Sequence, residues 1–292
     1  MPRSLTCLRF LAVLCVCLWS AYGCSAQEDQ TGALFLSVSG GVVSTAGSFA
    51  GNGHDEEPLP GMILGTATIG SGFQARATYY VYPRLGLYAM ALTTSNGASK
   101  PSRYRFPWEC QNCGLGYVAP NSTMSSMEIG NWRSTMAMVG LELDLGLQQP
   151  HVTARAAIGY QSISSPAVVY KEEGTQLVNT GAPPFVTLGY IRSFEQPSVT
   201  TYGTVFNIGL DLRQRLAARL HLLFGVDLVL GQVRFKGIQT VHFDGATQGD
   251  PDEHYETQYT FDQVSGTTRL LWQIGLCFEV LRGRDTPKPI AP

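Results

Sequence analysis

Residues Tyr202–Phe235, YGTVFNIGLDLRQRLAARLHLLFGVDLVLGQVRF, decide how the rest of the chain is read. On the first arm Thr204, Phe206, Ile208, Leu210 and Leu212 occupy every second position, with Val205, Asn207, Gly209, Asp211 and Arg213 between them. After a short polar break, Leu220, Leu222, Phe224, Val226, Leu228 and Leu230 alternate with Arg219, His221, Leu223, Gly225, Asp227, Val229 and Gly231. Period-two alternation over arms this long means paired strands with one apolar face and one face of charge and glycine. The apolar band is about ten residues tall, the height of a tilted strand crossing a bilayer.

Composition narrows the class. Of 292 residues only 14% are charged, 32 are glycine and 44% are hydrophobic, which disfavours disorder, and the long apolar runs of a helical membrane protein are missing. A formal charge of −2 gives no sign of a nucleic-acid partner.

The amino terminus reads as a secretion signal over residues 1–26. Arg3 and Arg9 supply the positive start, Phe10 to Trp19 the apolar core, and Cys24-Ser25-Ala26 the small residues before cleavage near Ala26/Gln27. The rival reading is a lipoprotein site in Ala21-Tyr22-Gly23-Cys24, which the missing aliphatic residue three before Cys24 weakens.

The same alternation recurs along the remaining chain. Leu34, Leu36 and Val38 oppose Ser37 and Ser39. Phe73, Ala75, Ala77, Tyr79 and Val81 oppose Gln74, Arg76, Thr78 and Tyr80. Leu87, Ala89 and Ala91 oppose Tyr88 and Met90. Val139, Leu141, Leu143, Leu145 and Leu147 oppose Gly140, Glu142, Asp144 and Gly146. Val152, Ala154, Ala156, Ile158 and Tyr160 oppose Thr153, Arg155, Ala157, Gly159 and Gln161, and Leu270, Trp272, Ile274, Leu276, Phe278 and Val280 close the series. With the two arms above this makes eight strands. Their connections alternate long and short: tight turns near Pro83-Arg84, Gln149-Pro150 and Gln214–Leu216, and excursions at about 44–60, 95–131, 164–199 and 237–266 read as loops. The expected architecture is all-β: an eight-stranded antiparallel up-and-down transmembrane barrel over 27–283, with long extracellular loops, short periplasmic turns and a tail at 284–292.

A soluble lipocalin-like barrel is also eight-stranded, so the faces must be assigned. The four lysines (Lys100, Lys171, Lys236, Lys288) avoid the strand cores, whereas a solvated sheet face uses lysine freely. The polar faces carry balanced charge: Arg76, Arg155, Arg213, Arg219 and Arg269 beside Glu142, Asp144, Asp211, Asp227 and Glu279. Enclosed charges must be paired, because stranding one costs several kcal/mol. Glycine on that face suits the narrow interior of an eight-stranded barrel. The polar face is therefore the lumen, with Arg76, Glu142, Asp144, Arg155, Asn207, Asp211, Arg219, His221, Asp227, Arg269, Gln273 and Glu279 as its network. With Gln149-Pro150 at the centre of its turn, Asp144 is expected opposite Arg155, with Arg76 and Glu142 at similar depth.

These features resemble the small outer-membrane barrels of the OmpA, OmpX and OmpW types. The strand around Gly275-Leu276-Cys277-Phe278 is similar to their carboxy-terminal insertion signal, although fourteen residues follow Phe278 here. The resemblance implies outer-membrane lipids and the insertion machinery as partners, with a surface partner unspecified.

No motif for chemistry emerges. Cys110-Gln-Asn-Cys113 lacks the second ligand pair of a zinc site and reads as a small loop disulfide. The acidic stretch from Asp244 to Asp262 lacks the spacing of a calcium loop. No His-x-Ser pair of an outer-membrane deacylase occurs, and no Gly-x-Ser-x-Gly element. A palmitoyltransferase-type barrel needs an apolar lumen, whereas this lumen is expected to be charged throughout its height. The reading is a non-enzymatic barrel without cofactor or metal, structural or acting at the surface through its loops. Small-solute passage is the alternative, and a soluble lipocalin-like binder the third.

Overall fold

The computed structural model describes residues 30–46, 67–98, 121–146, 150–178, 186–245 and 253–282. The expected signal segment, the Cys110/Cys113 pair and the tail beyond residue 282 lie outside the described residues.

Eleven strands form: β1 (Leu34–Ala46), β2 (Ala67–Tyr80), β3 (Leu85–Ala98), β4 (Asn121–Ile129), β5 (Trp132–Asp144), β6 (His151–Ser164), β7 (Val168–Val178), β8 (Val186–Gln196), β9 (Thr200–Ala217), β10 (Leu220–Gly245) and β11 (Glu253–Leu281). Eight of them close a ring in the order β1-β2-β3-β5-β6-β9-β10-β11, and β11 returns antiparallel to β1. Following paired residues around the ring leads from Leu36 through Ala77, Ala89, Val139, Ile158, Phe206, Leu230 and Thr268 to Ala46. The path returns to β1 ten residues further on, the stagger that a closed barrel of tilted strands requires.

Burial settles which face is which. Outward positions are large, apolar and exposed, among them Val139, Ile158, Ile208, Trp272 and Ile274, each more than half exposed. Inward positions include nearly all the buried charge. A soluble barrel has the reverse arrangement, so this is a transmembrane β-barrel. Tyr160 and Tyr202 stack on the outer wall with centroids 6.4 Å apart, an aromatic pair of the kind that sits at a membrane interface.

The long excursions differ from expectation. Instead of loops, three of them carry strands: β4, β7, β8 and the upper halves of β10 and β11. The β8 strand pairs with Thr240–Gly245 of β10, and β7 and β4 follow outward, so the sheet rises above the ring as a crown. Its interior packs Met127, Val168, Tyr170, Phe194 and Val241. Outside a lipid phase a strand needs only one buried face, and Ser, Thr and Glu can occupy the other. These segments therefore lack the tall apolar band by which the eight wall strands were recognised.

Climbing β10 from the turn end reads the lumen in strata. Leu223 packs with Phe35, Tyr80 and Cys277 at the base. Asp227 follows in the charged layer described below. Val229 joins Val43, Leu92, Met136, Met138 and Leu271 in an apolar layer. Val233 and Phe235 join Trp132, Ile163 and Phe261 higher up, with the Trp132 and Phe235 rings edge-on at 5.7 Å. The expectation of charge throughout the height is thus corrected. Charge is confined to layers, and the interior between them is filled by the chain's own apolar side chains.

Candidate functional site

Six side chains form an unbroken alternation of charge across the barrel. Arg213 of β9 contacts Glu142 of β5, whose other oxygen lies 3.8 Å from Arg76 Nε of β2. Arg76 reaches Asp211 Oδ2 at 2.5 Å, the same oxygen that Arg155 Nη1 of β6 contacts at 2.5 Å. Arg155 then grips Asp227 of β10 with two bonds, Nε to Oδ1 at 3.2 Å and Nη2 to Oδ2 at 2.7 Å. All six side chains are almost wholly shielded from solvent.

Neutral donors add to the hold on Asp227 and Glu142. Asn207 Nδ2 donates to Asp227 Oδ1 at 3.0 Å and Gln273 Nε2 to Asp227 Oδ2 at 2.8 Å, while Ser39 Oγ donates to Gln273 Oε1 at 2.6 Å. Tyr80 Oη donates to Glu142 Oε1 at 2.7 Å and accepts from Arg213 Nη2 at 2.7 Å. Phe35 lies under the Arg213 guanidinium, 5.1 Å from ring centroid to Cζ.

The wall makes room for this chain with glycine. A Cβ on Gly209 would collide with Asp227 Oδ1 and with Nε of Arg155, and one on Gly225 with Asp211 Oδ1 and Gln273. Side chains cross the lumen over bare backbone at these two points. That is the physical reason glycine sits on the polar face of the Tyr202–Phe235 hairpin.

Several expected members lie elsewhere. Asp144 does not face Arg155: β5 and β6 pair Glu142 with Arg155 and Asp144 with Thr153, two residues from the expected register. Gly146 takes φ 82° and donates its N–H to Asp144 Oδ1 at 2.8 Å, while Leu145 N–H bonds the Val152 carbonyl at 2.9 Å. The strand register is therefore centred one residue earlier than a turn at Gln149-Pro150 implies. Asp144 instead accepts from Gln30 Nε2 at 2.9 Å and lies 3.7 Å from His151 Nδ1, at the turn-end lip. Arg219 is exposed in the β9–β10 turn, because β9 ends at Ala217 and the alternation does not run through the reversal. Glu279 is half-buried at the same end, outside the ion chain.

His221 faces the lumen but makes no hydrogen bond from either ring nitrogen among the described residues; its ring meets Phe35 edge-on at 6.0 Å. Arg269 stands above the apolar layer, donating to Gln161 Oε1 at 3.2 Å, with Gln161 Nε2 donating to Thr267 Oγ1 at 3.0 Å. Arg76, Glu142, Arg155, Asn207, Asp211, Asp227 and Gln273 lie together in this network. Arg213 and Tyr80 belong with them, and both were visible on polar strand faces.

The arrangement is a buried network of paired charge. Each of its three carboxylates, on Glu142, Asp211 and Asp227, contacts at least one guanidinium. Among the described residues no group of three His, Cys, Asp or Glu side chains is placed to hold a metal.

The fold and its lumen define a small closed transmembrane barrel. No protein-family model matches the chain, and no curated protein matches it in sequence. Among solved structures it is similar to Ail, the attachment invasion locus protein of Yersinia pestis, at 10% identity and TM-score 0.35, over 85% of this chain and 99% of that one. It is also similar to the outer membrane protein OprG of Pseudomonas aeruginosa, at 10% identity and TM-score 0.37, over 87% and 99%. A third is the outer membrane protein AlkL in lipid bilayers, at 10% identity and TM-score 0.31, over 90% and 98%. Likenesses this loose add nothing to the residue-level reading, which rests on the barrel's own burial and register.

Proposed function

We propose that this chain is an integral bacterial outer-membrane barrel with a plugged lumen, non-enzymatic, that acts through the surface of its crown. The turn end faces the periplasm and the crown faces outward. The observation that carries the reading is the six-member ion chain closing the lumen beneath a filled apolar layer. A barrel sealed at two levels has its crown left to meet partners. Exposed Ile191, Ile238 and Val264 supply apolar contact there, and Arg234, Lys236 and Asp262 supply charge. Tyr170 and Phe194 are buried in the crown's core.

Fractionation after expression tests location: the protein belongs in the outer membrane and runs faster on gels unheated than boiled. Recovery from the soluble periplasm overturns the reading. Replacing β7 and β8 by a short Gly/Ser link tests the assignment to the crown. The expected result is a barrel that still assembles and loses its surface binding. Retained binding in the shortened barrel contradicts it.

A further inference from the structure

The outer wall is not uniformly convex. Val42 of β1, Leu210 of β9, Phe224 and Val226 of β10, and Trp272 and Ile274 of β11 surround a groove of about 590 Å³ on the lipid-facing side. That is within the range of about 300–1,000 Å³ usual for small-molecule sites. Val42, Trp272 and Ile274 are more than half exposed, so the groove opens outward, away from the lumen.

One wall residue has no structural need to be small. Gly40 lies in the groove on the outward face of β1, in step with Leu36 and Val38. A Cβ built on it meets only the Gly72 carbonyl oxygen at 3.7 Å, ordinary contact. Gly209 and Gly225 are demanded by crossing side chains; Gly40 is not. Its missing side chain keeps a depression open in the middle of a belt that lipid chains cover.

Charge lies beyond the groove, toward the turn end. At the turn end of the same strands Arg219 and Arg282 are exposed. They are tied to adjacent chain ends: Glu279 N–H bonds the Arg219 carbonyl at 2.9 Å, and Arg282 follows the last residue of β11. Cations just beyond an apolar belt are placed for lipid phosphate. We infer that this groove holds one anionic glycerophospholipid of the periplasmic leaflet, an acyl chain against Gly40, Phe224 and Trp272 and its phosphate between Arg219 and Arg282. The orientation rests on the proposed placement of the turn end, and a folded, membrane-inserted protein is the starting material, so failure of location and failure of lipid binding are distinguishable.

Trp272 reports occupancy directly. The protein is reconstituted in bilayers of unlabelled phosphatidylcholine containing a small fraction of phosphatidylglycerol brominated in its acyl chain, with Trp272→Phe as the blank. The expected result is quenching well above the probe's share of the lipid, saturating as that share rises. Gly40→Leu fills the groove and abolishes the excess; Val42→Phe does the same from the other wall if Gly40→Leu fails to assemble. Arg219→Glu with Arg282→Glu also removes the excess without altering heat-modifiability. Quenching that simply tracks the probe's mole fraction, unchanged in Gly40→Leu, overturns the proposal. So does a Trp272 that no brominated lipid reaches in a protein that sediments as a dimer, which makes a second copy the occupant.

Discussion

Arg155 passes over Gly209 to clasp Asp227, and the two residues come from strands that are not neighbours: β9 lies between β6 and β10. The contact is made through the lumen, across a strand reduced to backbone at that point. It ties together two strands of the ring that share no backbone pairing.

Removing one end of this clasp leaves the other charge buried. Arg155→Met strands Asp227 and weakens the hold on Asp211, and we expect a loss of about 3–5 kcal/mol. Adding Asp227→Leu recovers part of it, so the double variant is less damaged than the two singles sum to. Unfolding in urea from lipid vesicles measures all three. Additive losses contradict the pairing.

The same crossing makes Gly209 intolerant. Gly209→Ala places a methyl group among Asp227 and Arg155 and is expected to cost about 1–3 kcal/mol, the usual scale for overpacking. Gly40→Ala, outward with space around it, should be close to neutral. Melting by the gel-mobility shift compares the two, and equal losses contradict the assignment of faces.

Higher in the barrel, Trp132 and Phe235 close the second apolar stratum. Trp132→Ala is expected to destabilise by about 3–5 kcal/mol through the cavity it leaves. Hydrogen exchange should localise the loss to the crown-side ends of β5 and β10. Uniform loss over the wall strands contradicts the layering.

Above the belt, Arg234 clasps Asp262 through Nε at 2.5 Å and Nη2 at 2.7 Å, with Lys236 3.3 Å away. The bond from Arg234 holds the Asp262 carboxyl below its ordinary value. A depressed carboxyl contributes stability that is present above its unfolded pKa and lost as pH falls through the folded value. The pair is solvent-exposed, so that contribution is small. Protection of the β10–β11 hairpin should therefore hold steady from pH 7 to about 5 and decline only below about 3.9. A transition near neutral pH contradicts this.

How much of this was legible in the sequence follows from what each region must satisfy. Lipid demands an apolar side chain at every outward position, so Phe206 to Leu212 and Leu220 to Leu230 announce themselves, and the balanced arginines and acids opposite them announce a lumen. The crown answers to no such rule. Val168 and Tyr170 bury one face while Lys171 and Glu173 occupy a strand whose polarity reads as loop. Alternation also assigns faces without saying where a strand stops, which is how exposed Arg219 was placed inside. Register at the β5–β6 turn depended on the left-handed Gly146, and the expectation from Pro150 slipped by two residues. The outward Gly40 groove depends on several strands meeting, and no single stretch carries it.

The proposed plug is tested most directly by conductance. Purified protein, heat-modifiable and inserted in planar bilayers, should give no resolved channel openings at moderate voltage. Stable, ion-selective openings from the unaltered protein would contradict the plug and favour passage of small solutes through the barrel.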